Sequence, residues 1–125
     1  MPYAFDEIQL SEEPGGTVVT LVFQDKLKKE DYEYFVPQVE KIMESRDKIR
    51  MLIQLKDFKG WSAGALWEET KFGARHFSDI ERLAIVGDKQ WEKTMAGFIA
   101  PFSGAEVKYF DMMDLHLAKA WVSQT

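Results

Sequence analysis

The apolar and polar positions of this chain follow two periods in turn, and each change of period marks a predicted element. The strings YAFDEIQL (3–10) and GTVVTLVFQDKL (16–27) have the composition of strands, and the turn-forming run SEEPGG between them predicts a β-hairpin. The second strand is apolar on both faces, which is typical of a central strand. In KEDYEYFVPQVEKIMES (29–45) the apolar side chains recur every three or four residues, so a helix is predicted there, with a late start or a kink at Pro37.

Strand and helix patterns continue to alternate after this helix. Short apolar runs predict three more strands, at residues 49–55, 82–86 and 106–110. Helical spacing predicts three more helices, at residues 63–77, 89–100 and 114–123. Asp88 and Asp114 are predicted N-caps for the last two helices. The order β-β-α-β-α-β-α-β-α predicts an α/β fold with a five-stranded, mostly parallel sheet and four helices, and residues 1–125 are predicted to form one domain.

Composition and charge narrow the range of functions. The 125 residues are 46% hydrophobic and 30% charged, as in an ordinary soluble globular protein. The net charge is −5 and Lys and Arg do not cluster, which argues against a nucleic-acid-binding surface. Cysteine is absent, so disulfide and thiolate chemistry are excluded. No run approaches the ~18 apolar residues of a membrane span, and the N-terminus lacks a secretory pattern, so a cytoplasmic protein is expected.

Four strings form a specific combination that spans nearly the whole chain. They are LKKEDYE (27–33), FKGWSAGALWEETKFGARHF (58–77), IERLAIVGDKQWEK (80–93) and PFSGAEVKYFD (101–111). In this combination the chain resembles the SpoIIAA-like family of the STAS superfamily. The resemblance implies a five-stranded sheet with an antiparallel first strand and helices packed mainly on one side. It also implies a regulatory or binding module, similar to proteins proposed to bind small apolar ligands or to associate with membranes.

The chain departs from this resemblance at one turn. Regulatory STAS domains carry a phosphorylated Ser in an Asp-Ser-Ser/Thr-Gly-Leu-type turn after the third strand, and the matching turn here is WSAGAL (61–66). Ala63 occupies the slot of the phosphorylated residue, and Trp61 replaces the acidic one. A shift of one residue would make Ser62 the phosphosite. Ser62 is also placed to cap the following helix, and we expect capping to be its main role.

The helix predicted at 63–77 has more large apolar side chains than one core-facing stripe can use. At about 100° per residue, one stripe is predicted to face the core: Ala63, Leu66, Thr70, Gly73 and Phe77. Phe72 lies nearly opposite this stripe and Trp67 lies on its flank. One interpretation is that Phe72 packs under a neighbouring loop or helix. The other is that Trp61, Trp67 and Phe72 form the wall of a groove.

The next helix, 89–102, carries a second apolar stripe, which core packing alone could explain: Trp91, Met95, Phe98, Ile99 and Phe102. Because this helix is short and ends in APFSG, it could instead be a mobile lid over a pocket or lie on a membrane surface. Its polar face offers only Lys89 and Lys93, against Glu92, whereas interfacial helices are usually rich in Lys and Arg. A pocket is therefore favoured over direct bilayer binding.

Catalytic constellations are weak in this sequence. His76 and His116 lie on different predicted helices without metal-ligand spacing, and no cofactor motif is present, so no metal or cofactor is expected. A triad of Ser62, His76 and Asp57 can be drawn, but nothing in the spacing supports it. The run VGDK (86–89) could hold an anion at a helix N-terminus, although capping explains it as well. We therefore expect a protein that is not an enzyme.

These patterns predict a non-enzymatic module that binds a small apolar or amphipathic ligand between the second and third helices. The predicted contact residues are Trp61, Trp67, Phe72, Trp91, Met95, Phe98 and Phe102. The alternative hypothesis is a protein–protein regulatory module of the anti-sigma-factor-antagonist type, with Ser62 as its phosphosite. Peripheral membrane contact through residues 89–102 and a homodimer formed by the apolar helix faces are further expectations, whereas a nucleic-acid partner is not expected.

Overall fold

The structure is a computed structural model that describes residues 8–46, 48–76, 78–99 and 104–125, without the side chains of residues 95–99. Within these residues the chain forms one sheet and four α-helices. The strands are β1 (Gln9–Glu13), β2 (Gly16–Leu27), β3 (Ile49–Trp61), β4 (Ile80–Gly87) and β5 (Glu106–Asp111). The helices are α1 (Lys29–Glu44), α2 (Ala63–Arg75), α3 (Gln90–Ile99) and α4 (Leu115–Ser123). A 3-10 turn, Met112–Asp114, leads into α4.

The five strands lie side by side in sequence order. β1 pairs antiparallel with β2, and every other pairing is parallel, with Val19 opposite Met51 and Ile53 opposite Ile85. This arrangement confirms the predicted order of elements and the mixed sheet with an antiparallel first strand. Because successive right-handed crossovers step in one direction across the sheet, α1, α2 and α3 cover the same face and α4 is left for the other.

Apolar side chains are buried on both faces of the sheet. The larger core lies under α1 and α2, where Phe35, Val39 and Phe72 pack on the β2–β3–β4 face that carries Val19, Met51 and Ile85. The smaller core lies under α4 and contains Val18, Leu52, Ala84, Val86, Ala118, Trp121 and Val122. Central strands with apolar residues on both faces are typical of a sheet covered by helices on each side, as β2 was predicted to be.

Arg50 anchors α4 to the second face. The residue is 5% exposed and its Nε donates to Glu81 Oε1 over 2.7 Å. Its Nη1 donates to the carbonyl oxygens of Val122 and Gln124 at the end of α4. A charged side chain is tolerated at this depth because its donors meet a carboxylate and two helix-terminal carbonyls.

Three local predictions differ from the structure. Ser11–Glu13 pair with β2, so the hairpin turn is shorter than SEEPGG. α1 begins at Lys29 and continues past Pro37, so the predicted late start is wrong. The proline removes one backbone N–H bond, but Phe35 and Val39 on either side of it are buried against the sheet and hold the helix there. Asp114 occupies the N-cap position of α4 without making a side-chain capping bond.

The predicted core-facing stripe of α2 is also wrong. Ala63, Leu66, Thr70 and Gly73 are exposed, and Leu66 keeps 53% of its surface; Phe77 lies outside the described residues. The buried residues are Ala65 and Phe72. Glu69 lies between them at helical spacing and bonds to buried Tyr32 of α1. Because an acidic residue lies in the middle of the inward face, the pattern of hydrophobic positions did not identify that face.

Across the described parts of the chain, no helix combines the length and apolar character that crossing a membrane requires.

Candidate functional site

The carboxyl ends of the parallel strands and the first turns of three helices meet at one edge of the sheet. β2 ends at Leu27, β3 at Trp61 and β4 at Gly87, and α1, α2 and α3 begin within a few residues of these ends. Ser62 N–H donates to the Leu27 carbonyl over 2.8 Å, which holds the start of α2 beside the end of β2. In parallel α/β folds, loops and helix starts at this edge commonly form ligand sites.

Three aromatic rings from two elements pack together at this edge, and we call Phe58, Trp61 and Trp91 the edge cluster. Phe58, at the end of β3, is fully buried and forms the floor. Trp61 meets it edge-on, with ring centroids 5.0 Å apart and planes at 85°. Trp91, from the first turn of α3, stacks on it at 5.8 Å and 21° while 42% of its surface stays exposed. The cluster therefore presents aromatic surface to solvent over a fixed floor.

A hydrogen-bond chain orients the Trp61 ring. Trp61 Nε1 donates to the Tyr32 hydroxyl over 2.8 Å, and that hydroxyl donates to Glu69 Oε2 over 2.6 Å. Burial raises the pKa of the Glu69 carboxyl above its usual value, and the bond from Tyr32 only partly opposes this. Burial, together with the nearby Glu69 charge, raises the pKa of Tyr32 well above its usual range. Tyr32 therefore stays protonated, and α1, α2 and β3 converge on one polar contact behind the cluster.

A glutamate in the first turn of α3 caps the N-terminus of that helix. Glu92 Oε1 accepts from the backbone N–H groups of Asp88 and Lys89, at 3.1 and 3.2 Å. The side chain is fully buried, and its other oxygen, Oε2, has no hydrogen-bond partner within the part of the chain that the structure describes. A Cβ at Gly87 would overlap Glu92 Oε1 and come within 3.0 Å of the Tyr109 hydroxyl, so glycine at the end of β4 makes room for both.

Tyr109 of β5 stands beside this carboxylate. Burial raises the pKa of Tyr109 to about 12, with further contributions from the negative charges of Glu92, Asp111 and Asp88. Tyr109 is therefore protonated at neutral pH. Lys89 Nζ donates to the Phe58 carbonyl over 3.1 Å, which ties the start of α3 to the floor of the edge cluster.

The chain was compared with known protein families and solved structures. A sequence model of the SpoIIAA-like family matches residues 18–123. The chain belongs to the SpoIIAA-like family. Its fold is similar to the crystal structure of an uncharacterised protein with a SpoIIAA-like fold from Shewanella loihica PV-4, with a TM-score of 0.83 and 24% identity over 98% of this chain and 96% of that one. No curated protein matches the chain.

Membership confirms the resemblance and the α/β fold expected from the sequence. The SpoIIAA-like fold supports a regulatory or binding module in general terms, and it identifies neither a ligand nor a partner.

The structure of this SpoIIAA-like chain brings together two of the predicted contact residues, Trp61 and Trp91, through Phe58. Trp67 lies on the outward side of α2 with 61% of its surface exposed, and Lys71 Nζ lies 6.0 Å from its ring centroid. Phe72 has a place in the main core, with its ring 4.8 Å from that of His76, so the interpretation that left it without a core role is wrong. The side chains of the remaining predicted contacts lie outside the described residues: Met95, Phe98 and Phe102.

Ser62 has the capping role expected of it. Its Oγ accepts from the Ala65 N–H over 3.1 Å at the N-terminus of α2. His76 follows the last residue of the same helix, where its ring nitrogens lie 2.7 Å from Glu40 Oε2 and from Asp79 Oδ2. Ser62 and His76 thus flank opposite ends of a thirteen-residue helix, which excludes the triad drawn with Asp57. Among the described residues no group of three His, Cys, Asp or Glu is placed to hold a metal ion.

A separate recess of about 500 Å³ lies between β1 and α1, away from the edge cluster. Its lining residues are Ile8, Leu10, Gln38, Lys41, Ile42 and Arg46. It is wide open to solvent and contains none of the predicted contact residues.

Sequence reasoning missed four residues of the site: Tyr32, Phe58, Glu69 and Glu92. Phe58 falls beyond the apolar run from which the third strand was predicted, because β3 continues to Trp61 past Asp57 and Gly60, both at positive φ. Glu92 gave a usable signal, since it follows Lys89 by three residues, the spacing of a capping-box acid. The Tyr32–Glu69 contact joins two helices 37 residues apart and leaves no local pattern.

Proposed function

We propose that this chain is a non-enzymatic binding module that holds a small apolar or amphipathic molecule against the edge cluster. The observation that carries the proposal is the partly exposed Trp91 ring stacked on buried Phe58, at the edge where β3 ends and α3 begins. The exposed Trp91 ring and the half-buried Trp61 ring pack on the same buried floor, and grouped rather than scattered exposed apolar surface is typical of an interaction surface.

The edge cluster is built to stay in place without a ligand. Phe58 belongs to the main core, and Trp61 is fixed both by its edge-on contact with Phe58 and by its bond to Tyr32. Since the indole N–H of Trp61 is already satisfied, the ring offers an incoming molecule mainly apolar contact area. A preformed surface of this kind avoids the entropy of ordering side chains on binding, and this favours affinity for small molecules.

The sequence predicted a binding site between α2 and α3. This proposal limits that site to the side on which the Trp61 and Trp91 rings lie. Trp67 and Leu66 are also exposed, on the outward face of α2. Contact of α3 with a lipid surface and pairing of two copies stay predictions, and both would draw on the same exposed aromatic surface. A regulatory role for Ser62 also stays a prediction.

The proposal is tested by titrating the protein with N-phenyl-1-naphthylamine, a neutral apolar fluorophore. The wild-type chain is expected to bind it, and Trp91→Ala is expected to weaken binding about five- to tenfold because a stacked ring surface is lost. Leu117→Ala is the matched control, because Leu117 is exposed to a similar extent, 49%, on α4 at the other face of the sheet. The control should leave the affinity within about twofold, as expected for a distant surface site.

Two results would contradict the proposal. The first is no saturable binding by the wild-type chain. The second is an equal effect of Trp91→Ala and Leu117→Ala, which would mean that the probe adheres to exposed apolar side chains in general. Thermal unfolding of each variant, followed by circular dichroism, shows that a loss of binding is not a loss of fold. Trp67→Ala in the same titration measures how far the bound molecule reaches along α2.

A further inference from the structure

Glu92 holds a buried carboxylate oxygen that the fold does not use. Its Oε1 caps the backbone of Asp88 and Lys89, whereas Oε2 is closed to solvent and has no partner among the described residues. Leaving a buried charged acceptor unpaired costs free energy, so such an oxygen is expected to find a donor in the working protein. A capping role alone does not require a carboxylate at residue 92, because glutamine serves equally well at this position of a capping box.

The Glu92 carboxylate also determines which kind of ligand group fits at the start of α3. The N–H groups at the start of α3 would otherwise favour an anion, but Glu92 already occupies two of them. An external carboxylate or phosphate would meet like charge instead of free donors. Tyr109, whose hydroxyl stands beside Gly87 and Glu92, adds no cation to offset that charge. The site therefore selects a hydrogen-bond donor over an anion.

The unpaired oxygen and the edge cluster share the start of α3. Glu92 follows Trp91 directly on α3, and Lys89 of the same turn is bonded to the Phe58 carbonyl. A headgroup at Glu92 and an apolar chain lying against Trp61 and Trp91 would then be parts of one small molecule. Because Oε2 is closed to solvent, the headgroup reaches it only when the surrounding side chains move, so this part of the site, unlike the rings of the edge cluster, is not preformed. The resulting bond forms in a water-poor setting where a charge-assisted hydrogen bond is strong.

We propose that Glu92 Oε2 accepts a hydrogen bond from the hydroxyl or amine headgroup of an amphipathic ligand, and that the chain discriminates against amphiphiles with an anionic head. The inference rests on the proposed function, since the edge cluster supplies the contact with the apolar part. The inference specifies the chemistry of the ligand's headgroup, which the aromatic rings do not determine.

The test compares three probes with the same ten-carbon tail, 1-decanol, decylamine and decanoate, each titrated below its aggregation range by isothermal calorimetry at pH 7. Wild-type protein is expected to bind decanol and decylamine roughly tenfold or more tightly than decanoate, the difference typical of one hydrogen bond to a charged group. Glu92→Gln keeps an oxygen for the backbone cap and puts an N–H donor where Oε2 lies. It is expected to weaken decanol and decylamine about tenfold and to strengthen decanoate several-fold.

Glu33→Gln is the matched control, because it removes the same charge from an exposed position on α1. It should leave all three affinities within about twofold, which separates a local contact from the general pull of a chain with net charge −5 on a cationic amine. The neutral alcohol gives the same separation within the wild-type data. Thermal unfolding checks that Glu92→Gln keeps the cap at the start of α3.

The possible failures are distinct. If none of the three probes binds wild-type protein, the proposed function and this inference fall together. If they bind and decanoate binds as well as decanol, the inference alone is overturned. The same holds if Glu92→Gln leaves the order of affinities unchanged, which would make Glu92 a capping residue and nothing more.

Discussion

The ionised Glu69 carboxylate destabilises the folded state. Burial raises the pKa of this carboxyl, so the folded state binds its proton more tightly than the unfolded chain does. Below the usual pKa both states are protonated and the group favours neither. As the pH rises through the raised pKa, the folded state must ionise a buried group, and stability is lost.

Glu69→Gln is therefore expected to raise the melting temperature at pH 7 by a few degrees, because the amide oxygen still accepts the Tyr32 bond without a buried charge. The gain should shrink toward zero as the pH falls below the usual glutamate value. Melting curves from pH 4 to 8 measure both effects. Glu68→Gln is the control, since Glu68 is the preceding residue and pairs over 2.8 Å with Lys71, whose side chain is exposed. Loss of that solvent-accessible pair should cost about 1 kcal/mol, and a gain from both variants would contradict the account.

Among the elements, α2 was predicted correctly in its extent and wrongly in its orientation. The capping signal of Ser62 and the helical composition that follows define where it starts, and the structure begins the helix at Ala63. Orientation depends on tertiary partners, because Glu69 and His76 face inward where Tyr32 and Glu40 of α1 satisfy them. No hydrophobic period in the sequence shows that Glu69 in α2 and His76 just after it have hydrogen-bond partners on another helix.

The start of α2 depends on one capping bond. Ser62→Ala removes the Oγ that accepts the Ala65 N–H and is expected to lower the free energy of unfolding by about 1 kcal/mol. Ser62→Asp should retain most of the stability, because aspartate is an equally good cap and its charge suits a helix N-terminus. Urea unfolding of the three proteins gives the comparison. Equal stability of the alanine variant and wild type would show that the cap contributes nothing.

Across the whole molecule, the order of elements and the sheet could be predicted because both follow from local periods and from the handedness of crossovers. The candidate site could be predicted only in part. Trp61 and Trp91 stood out by size, but their common floor, Phe58, lies where β3 runs on past positive-φ residues that do not resemble a strand. The unused oxygen of Glu92 depends on three-dimensional burial that a spacing rule does not show.

The central claim is that the aromatic surface at the carboxyl edge of the sheet holds a small apolar or amphipathic molecule. Native mass spectrometry of freshly purified protein, followed by organic extraction and identification of what is released, tests it most directly. The account predicts a reproducible extra mass that is lost on denaturation and that is reduced in Trp91→Ala but not in Leu117→Ala. A clean mass of the bare chain, with no uptake when decanol or N-phenyl-1-naphthylamine is added, would contradict it.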